Sequence, residues 1–351
     1  MSARLAVRGL QVVYPARRGG APARAVDGVD LEVAPGEIVA LIGESGCGKS
    51  TLARALIGLV KPTAGEVAYD GTPVRFSAKA LKAHRRQVQL VLQDPAAALN
   101  PRQSVFDAVA EGPRLHGLRD GLEERVTSAL ARAGLRPPER FLDRYPHELS
   151  GGQQQRVVIA GALALDPTAL VADEPVASLD ASVRGEILAL LLQLRRDLGL
   201  SALVISHDLG LAWNTADRVA VMYLGRIVEV GAVEEVLLAP RHPYTQALLA
   251  VAPDATRAAS RRTFPALLPG EPPDPTAIPP GCRFHPRCPR RAALTAAGVD
   301  TTACTTVDPP VLTAAVDVTQ VACHFADAAA AEPVAAAAVP AADAATETAP
   351  A

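Results

Sequence analysis

The sequence predicts an α/β protein: a mainly parallel sheet covered on both faces by helices, with a block of helices inserted into it. Three observations predict this. Short apolar, strand-like runs alternate with helix-like segments through most of the first 250 residues, the pattern that parallel sheets built from crossover units require. One such crossover carries a glycine-rich turn, from Gly43 to Gly48, between an apolar run and a helical run. A third stretch, residues 104–160, is helical by period and interrupts the alternation.

The elements follow in order. Residues 4–15 alternate apolar and polar, as a half-buried strand does. "AVDGVDLEVAPGEIVALIG" reads as two strands around a turn at Pro35-Gly36. "TLARALIGLV" has helical spacing, and "VQLVLQ" (88–93) is a short strand. Residues 104–145 are mostly helical, with breaks expected at Gly112-Pro113 and Pro137-Pro138. "QQQRVVIAGALAL" is a helix; "ALVADEP" and "SALVISHD" are buried strands ending in polar residues; the amphipathic helix "SVRGEILALLLQLRRDLGL" lies between them. "VAVMYLGRIVEVG" reads as a hairpin turning near Gly225. Pro265 to Pro280 is proline-dense and reads as an extended linker, and from about Phe325 an Ala-, Pro- and acid-rich tail is expected to be disordered. No internal repeat is present, so one catalytic unit is expected.

Composition narrows the function. Hydrophobic residues make up 49% but aromatics only 3%, so the core must be aliphatic. A net charge of -2 offers no general attraction for nucleic acid or anionic lipid. The first residues lack the long apolar run of a secretory signal, and no window reaches the ~18 apolar residues of a membrane span. A soluble, cytosolic chain is expected, reaching a membrane only through other chains.

Gly43, Ser45, Gly46, Cys47, Gly48, Lys49, Ser50 and Thr51 lie in a segment that fits the phosphate-loop pattern G-x-x-x-x-G-K-[ST]. Glycines let backbone N–H groups turn toward phosphate oxygens, and the helix that follows adds its positive end. Lys49 is expected to reach the β- and γ-phosphates and Ser50 to hold Mg²⁺. The bland reading, a chance glycine turn, does not explain the apolar run before it and the helix after it. Cys47 reads as a small-residue slot rather than a nucleophile.

A second anchor ends the strand "ALVADEP". Asp173 can hold Mg²⁺ through water, and Glu174 can polarise an attacking water; two adjacent carboxylates suit a site where a cation shares their field. A third lies in "LSGGQQQR": Ser150, Gly151, Gly152 and Gln153 open a helix and form a second backbone-amide anion site. One nucleotide needs only one such loop, so the second is expected to serve a nucleotide held by another subunit.

With "GESGCGKST", "LQDPAAALNPR", "YPHELSGGQQQR", "ADEPVASLD", "SHDL", "VMYLGRIVE" and "HPYTQALL" together, the chain resembles the ABC ATPases of oligopeptide, dipeptide and nickel importers, most closely the second of their two ATPase subunits. The resemblance implies a P-loop NTPase fold: a RecA-like core with an antiparallel β subdomain and an inserted helical subdomain (about 95–160) within residues 1–250. It implies a C-terminal extension over 251–326, with 327–351 a disordered tail. It also implies roles. Tyr14 resembles the aromatic that stacks on adenine, although a plain core tyrosine is the alternative. Gln93 resembles the glutamine that contacts Mg²⁺ and the attacking water, Asp180 the dimer-interface aspartate, and His207 the histidine holding the γ-phosphate and water. The implied activity is ATP hydrolysis coupled to import of peptides or similar small solutes, at the cytoplasmic face of the membrane. The implied partners are a related ATPase subunit, two transmembrane permeases and, indirectly, a solute-binding protein, with no nucleic acid. The rival class is a soluble ABC ATPase acting on nucleic acid or ribosomes. Gly161 departs from the family, where arginine is usual, and "VASLD" departs slightly in order; neither touches a phosphate-contacting position.

Four cysteines remain: Cys282-x5-Cys288-x15-Cys304-x18-Cys323. In a cytosolic chain this spacing reads as four thiolates around a metal, zinc or an iron–sulfur centre. His285 and His324 are candidate replacement ligands, surface histidines being the plainer reading. The peptide-importer ATPases carry a similar region, in some of them holding a [4Fe-4S] cluster, so that centre is expected here, with Zn²⁺ and free or oxidised thiols the alternatives.

Overall fold

The computed structural model describes residues 5–16, 20–250, 274–313 and 318–327. Eleven strands among them form two sheets. β1 (Leu5–Tyr14), β2 (Ala23–Val33), β4 (Ala64–Tyr69) and β5 (Thr72–Pro73) make an antiparallel sheet in the order β2-β1-β4-β5. β3 (Ile38–Ile42), β6 (Val88–Val91), β7 (Ala169–Asp173), β8 (Ser201–Ser206), β9 (Arg218–Tyr223), β10 (Arg226–Ala232) and β11 (Gln320–Val321) make the large one, ordered β11-β10-β9-β3-β8-β7-β6. From β6 to β9 all neighbours are parallel; β10 and β11 return antiparallel.

The central strands are apolar on both faces, as a doubly covered sheet demands. β3 has all five residues buried. Its alternate residues divide between two cores: Ile38, Ala40 and Ile42 pack on one face, Val39 and Leu41 on the other. The first face packs on a helical block. The second packs on the antiparallel sheet and on α1 (Lys49–Leu56).

α2 (Ala78–Gln87) precedes β6, and between β6 and β7 run α3 (Pro95–Ala98), α4 (Val105–Leu115), α5 (Leu122–Arg132) and α6 (Gly151–Leu163). α7 (Ala181–Leu198) crosses from β7 to β8, and α8 (Leu209–Thr215) from β8 to β9. α9 (Val233–Leu238), α10 (Pro243–Ala250), α11 (Pro289–Ala296) and α12 (Thr302–Thr306) complete the set. No described helix is long and apolar enough to cross a membrane.

The expected break at Gly112-Pro113 is absent: α4 runs to Leu115 with Pro113 inside its last turn. Val109, Ala110 and Pro113 are buried, and packing of that face outweighs the hydrogen bond that proline forfeits. At Pro137-Pro138 the chain does leave the helix, with a single 3-10 turn at Pro138–Arg140. Of the proline-dense linker, residues 265–273 lie outside the described residues; Pro275 accepts a bond from the Arg24 amide at 3.1 Å. Most of the expected disordered tail, residues 328–351, also lies outside them. Phe325 does not begin it, because its carbonyl accepts from Arg290 at 2.8 Å.

Candidate functional site

The site lies where β3, β7 and β8 end. After β3 the chain turns through Gly43–Gly48 and enters α1 at Lys49, which is 6% exposed. Gly43 (φ 155°) and Gly48 (φ 113°) both have positive φ, and side chains there would collide with backbone carbonyls of Met222 and Ala25. Glycine is therefore needed for close approach as well as for conformation. The Lys49 ammonium donates to the carbonyls of Gly43 (2.8 Å) and Glu44 (2.9 Å). Ser45, Gly46 and Thr51 stand in the same loop and first helical turn. Cys47 is 3% exposed, and burial raises its thiol pKa. It stands as a buried thiol rather than an exposed thiolate.

Ser50 donates to Asp173 at 3.2 Å, so the two groups expected on Mg²⁺ already meet. The next residue, Glu174, has φ 48°, an uncommon value for a non-glycine residue. Its amide donates to Ile205 of β8 at 2.9 Å. That twist brings its carboxylate 3.3 Å from the Nδ1 of His207, which follows β8. Lys49, Ser50, Asp173, Glu174 and His207 thus gather at the ends of three adjacent strands. Gln93 is exposed beyond β6, and its carbonyl accepts from Ser178 at 3.4 Å, tying its loop to the segment after Glu174. Tyr14, 39% exposed, ends β1.

The remaining candidates form a second group. Ser150 and Gln153 cap α6 reciprocally, Gln153 N to Ser150 Oγ at 3.3 Å and Ser150 N to Gln153 Oε1 at 3.0 Å. A Cβ on Gly152 would stand 2.6 Å from Val183, and one on Gly151 3.7 Å from Leu179. The start of α6 therefore lies beside the start of α7, where Asp180 accepts from the Val183 amide at 3.0 Å. That backbone bond, with the one from Ser182, lowers the Asp180 pKa. Gly161 faces open space, so the arginine usual there would fit.

The four cysteines line one pocket with Phe284 and Phe325. All are free thiols. Burial pushes Cys282 up to about 12 and Cys288 up to about 11, and raises Cys304. Among the described residues no three histidine, cysteine, aspartate or glutamate side chains converge to hold a metal ion. This runs against the expectation of four thiolates around one metal centre, iron–sulfur or zinc: the thiols line a pocket without converging as donors. His285 places its Nδ1 2.9 Å from the Cys282 carbonyl, and His324 its Nε2 2.8 Å from the Val307 carbonyl, each leaving one ring nitrogen outside these bonds.

Sequence reasoning missed the groups that hold Glu44. Its amide donates to the Tyr244 hydroxyl at 2.8 Å, and its carboxylate takes two bonds from Arg287, at 2.9 and 3.1 Å. "HPYTQALL" had marked out Tyr244, but no local pattern marks Arg287.

Comparison with known proteins agrees with this geometry. Residues 26–177 match the ABC transporter family, and residues 228–293 match the oligopeptide/dipeptide transporter C-terminal region. The oligopeptide transport ATP-binding protein OppF of Salmonella typhimurium is 45% identical over 270 residues, 76% of this chain and 80% of that one. The dipeptide transport ATP-binding protein DppF of Haemophilus influenzae is 44% identical over 288 residues, 80% of this chain and 86% of its own. Among solved structures, the dimeric ATP-binding cassette MJ0796 in a post-hydrolysis state with ADP and Pi superposes with a TM-score of 0.59. It is 30% identical, covering 65% of this chain and 98% of that one.

Proposed function

This chain belongs to the ATP-binding subunits of the oligopeptide/dipeptide ABC importers, and from that premise we propose how its residues drive peptide import. It is an ATPase that powers transport by closing on a partner subunit around ATP and reopening after hydrolysis. Lys49 exchanges the carbonyls of Gly43 and Glu44 for the β- and γ-phosphates. Ser50, Asp173 and Gln93 would hold Mg²⁺, which when bound offsets phosphate charge. Tyr14 stacks on adenine. Glu174 accepts a hydrogen bond from the attacking water, and His207 holds Glu174 and the γ-phosphate in line. The water oxygen bonds to the γ-phosphorus as the bond from phosphorus to the bridging oxygen breaks; ADP leaves with that oxygen, and the proton of the water passes by way of Glu174 to the released phosphate. The gathering of Lys49, Ser50, Asp173, Glu174 and His207 at three strand ends carries this reading.

Ser150, Gly151, Gly152, Gln153 and Asp180 face the nucleotide of a second, related ATPase subunit. Their separate grouping at the starts of α6 and α7 supports that role. Two transmembrane permeases dock near Gln93 and the helical block, and a solute-binding protein delivers peptide to them, placing the chain at the cytoplasmic face of the membrane. ATP drives closure because it binds the closed pair better than the open one. Cys282, Cys288, Cys304 and Cys323 would hold a [4Fe-4S] cluster in a structural or regulatory role. The support for this reading is that four soft donors line one pocket.

The test is made on the complex purified with its natural neighbours. Glu174→Gln lowers ATP turnover about 10²–10⁴-fold while leaving ATP bound; equal rates in variant and parent overturn the assignment of Glu174. Co-purification with nucleic acid instead of permeases overturns the importer reading. An anaerobic spectrum without absorbance at roughly 400 nm overturns the cluster.

A further inference from the structure

Glu44 is a carboxylate inside a loop built to hold a polyphosphate. Left bare, it repels the ligand through a short, poorly screened distance. The structure meets that charge with a residue 243 positions away. Arg287, 8% exposed, closes a 3-10 turn (His285–Arg287) in the C-terminal extension. It sends two parallel N–H bonds to the Glu44 oxygens, at 2.9 and 3.1 Å. This fork fixes orientation as well as charge. The guanidinium also lies over the Tyr223 ring, 5.9 Å from its centroid, and donates to its hydroxyl at 3.4 Å.

The backbone of Glu44 is held as well. Its amide goes to the hydroxyl of Tyr244, which is fully buried and packed against Tyr223 and Phe284 at centroid distances of 4.6 and 5.5 Å. Its carbonyl is held by Lys49. Of these three tethers, the one from Lys49 is lost when the lysine turns to phosphate. Those from Tyr244 and Arg287 do not involve Lys49.

We propose that Arg287 is a positioning residue for ATP binding: it neutralises Glu44 and, with Tyr244, fixes the first half of the phosphate loop from the C-terminal extension. The loop is thereby organised before nucleotide arrives, which lowers the cost of binding. The inference concerns the ATP site alone and does not depend on which solute is imported.

The test is a double-substitution cycle on the full chain, reading Kd for a non-hydrolysable ATP analogue with Mg²⁺. Arg287→Ala raises Kd about tenfold or more, since truncating one partner of a hydrogen-bonded charge pair leaves the other uncompensated. In a Glu44→Gln background the same change moves Kd less than about threefold, because the repelling charge is gone. Arg287→Lys recovers part of the loss by restoring charge without the fork. An unchanged Kd in Arg287→Ala, or an equal loss in both backgrounds, overturns the proposal. Should Arg287→Ala not fold, Arg287→Lys in the two backgrounds decides: weakened binding only where Glu44 is present supports it, and equal binding in both overturns it.

Discussion

Replacing Gly48 with alanine puts a methyl group where the fold has no room. Two separate costs can be assigned. The first is backbone strain: φ at Gly48 is 113°, a region that residues with a Cβ occupy at a cost of about 1–3 kcal/mol. The second is steric. The new Cβ would stand 2.1 Å from the Ala25 carbonyl oxygen and 2.8 Å from the Met222 methyl. The methionine end can swing away, but the Ala25 carbonyl belongs to β2, whose Arg24 and Val26 on either side of it pair with β1. Moving that strand costs about 1–3 kcal/mol more. Together they take about 2–6 kcal/mol from a total stability on the order of 5–15 kcal/mol. Gly46→Ala is the control: φ is 79° and nothing lies within 4 Å of its Cβ, so it carries the strain alone. Urea unfolding of the parent and both variants separates the two costs. The expected order is parent, Gly46→Ala, then Gly48→Ala, the last step being about 1–3 kcal/mol. If Gly48→Ala is no less stable than Gly46→Ala, the claim that β2 clamps the phosphate loop is wrong.

Arg283 and Asp27 form an ion pair with side-chain exposures of 6% and 9%, joining the C-terminal extension to the antiparallel sheet. Arg283→Ala is expected to cost about 3 kcal/mol in urea unfolding, because Asp27 stays buried with only the more distant Arg24 and Arg226 near it; a loss below about 1 kcal/mol would show that those arginines take over. His242 is fully buried, and burial depresses its pKa to about 3. The unfolded chain therefore binds a proton below about pH 6.5 that the folded chain refuses. Above that pH the imidazole is neutral in both states, and folding loses about 1.4 kcal/mol per unit as pH falls from there toward 3. Unfolding at pH 6.5 and pH 5 should show the parent losing about 2 kcal/mol more than His242→Gln, and equal losses would place the imidazole in contact with water.

Much of this was legible in the sequence because it is local. The phosphate loop, the acidic end of β7 and the hairpin β9–β10 each announce themselves within a dozen residues, through glycines, apolar runs and a turn at Leu224-Gly225. The amphipathic α7 does so through its period. What escaped was long-range or context-dependent. β5 is two residues long and exposed, with no core pattern to reveal it. α2 buries only His84, so its periodicity is faint. Pro113 misled because the core decides the end of α4, not the local propensity. In the site, the hydrogen bonds of Glu44 come from residues near the opposite end of the chain, and no spacing rule links Glu44 to Arg287. The cysteine spacing pointed to a metal centre, but it could not say that the four thiols line one pocket without three donors converging.

The strand β11 has a consequence for how the chain is made. Val230 pairs with Gln320, 90 residues later. Until that late segment leaves the ribosome, the apolar border strand "RIVEVGA" offers unsatisfied backbone groups to any neighbour. The nascent chain is therefore exposed to edge-to-edge association throughout the synthesis of its last quarter, and a product that stops short of Gln320 carries that adhesive edge for its lifetime.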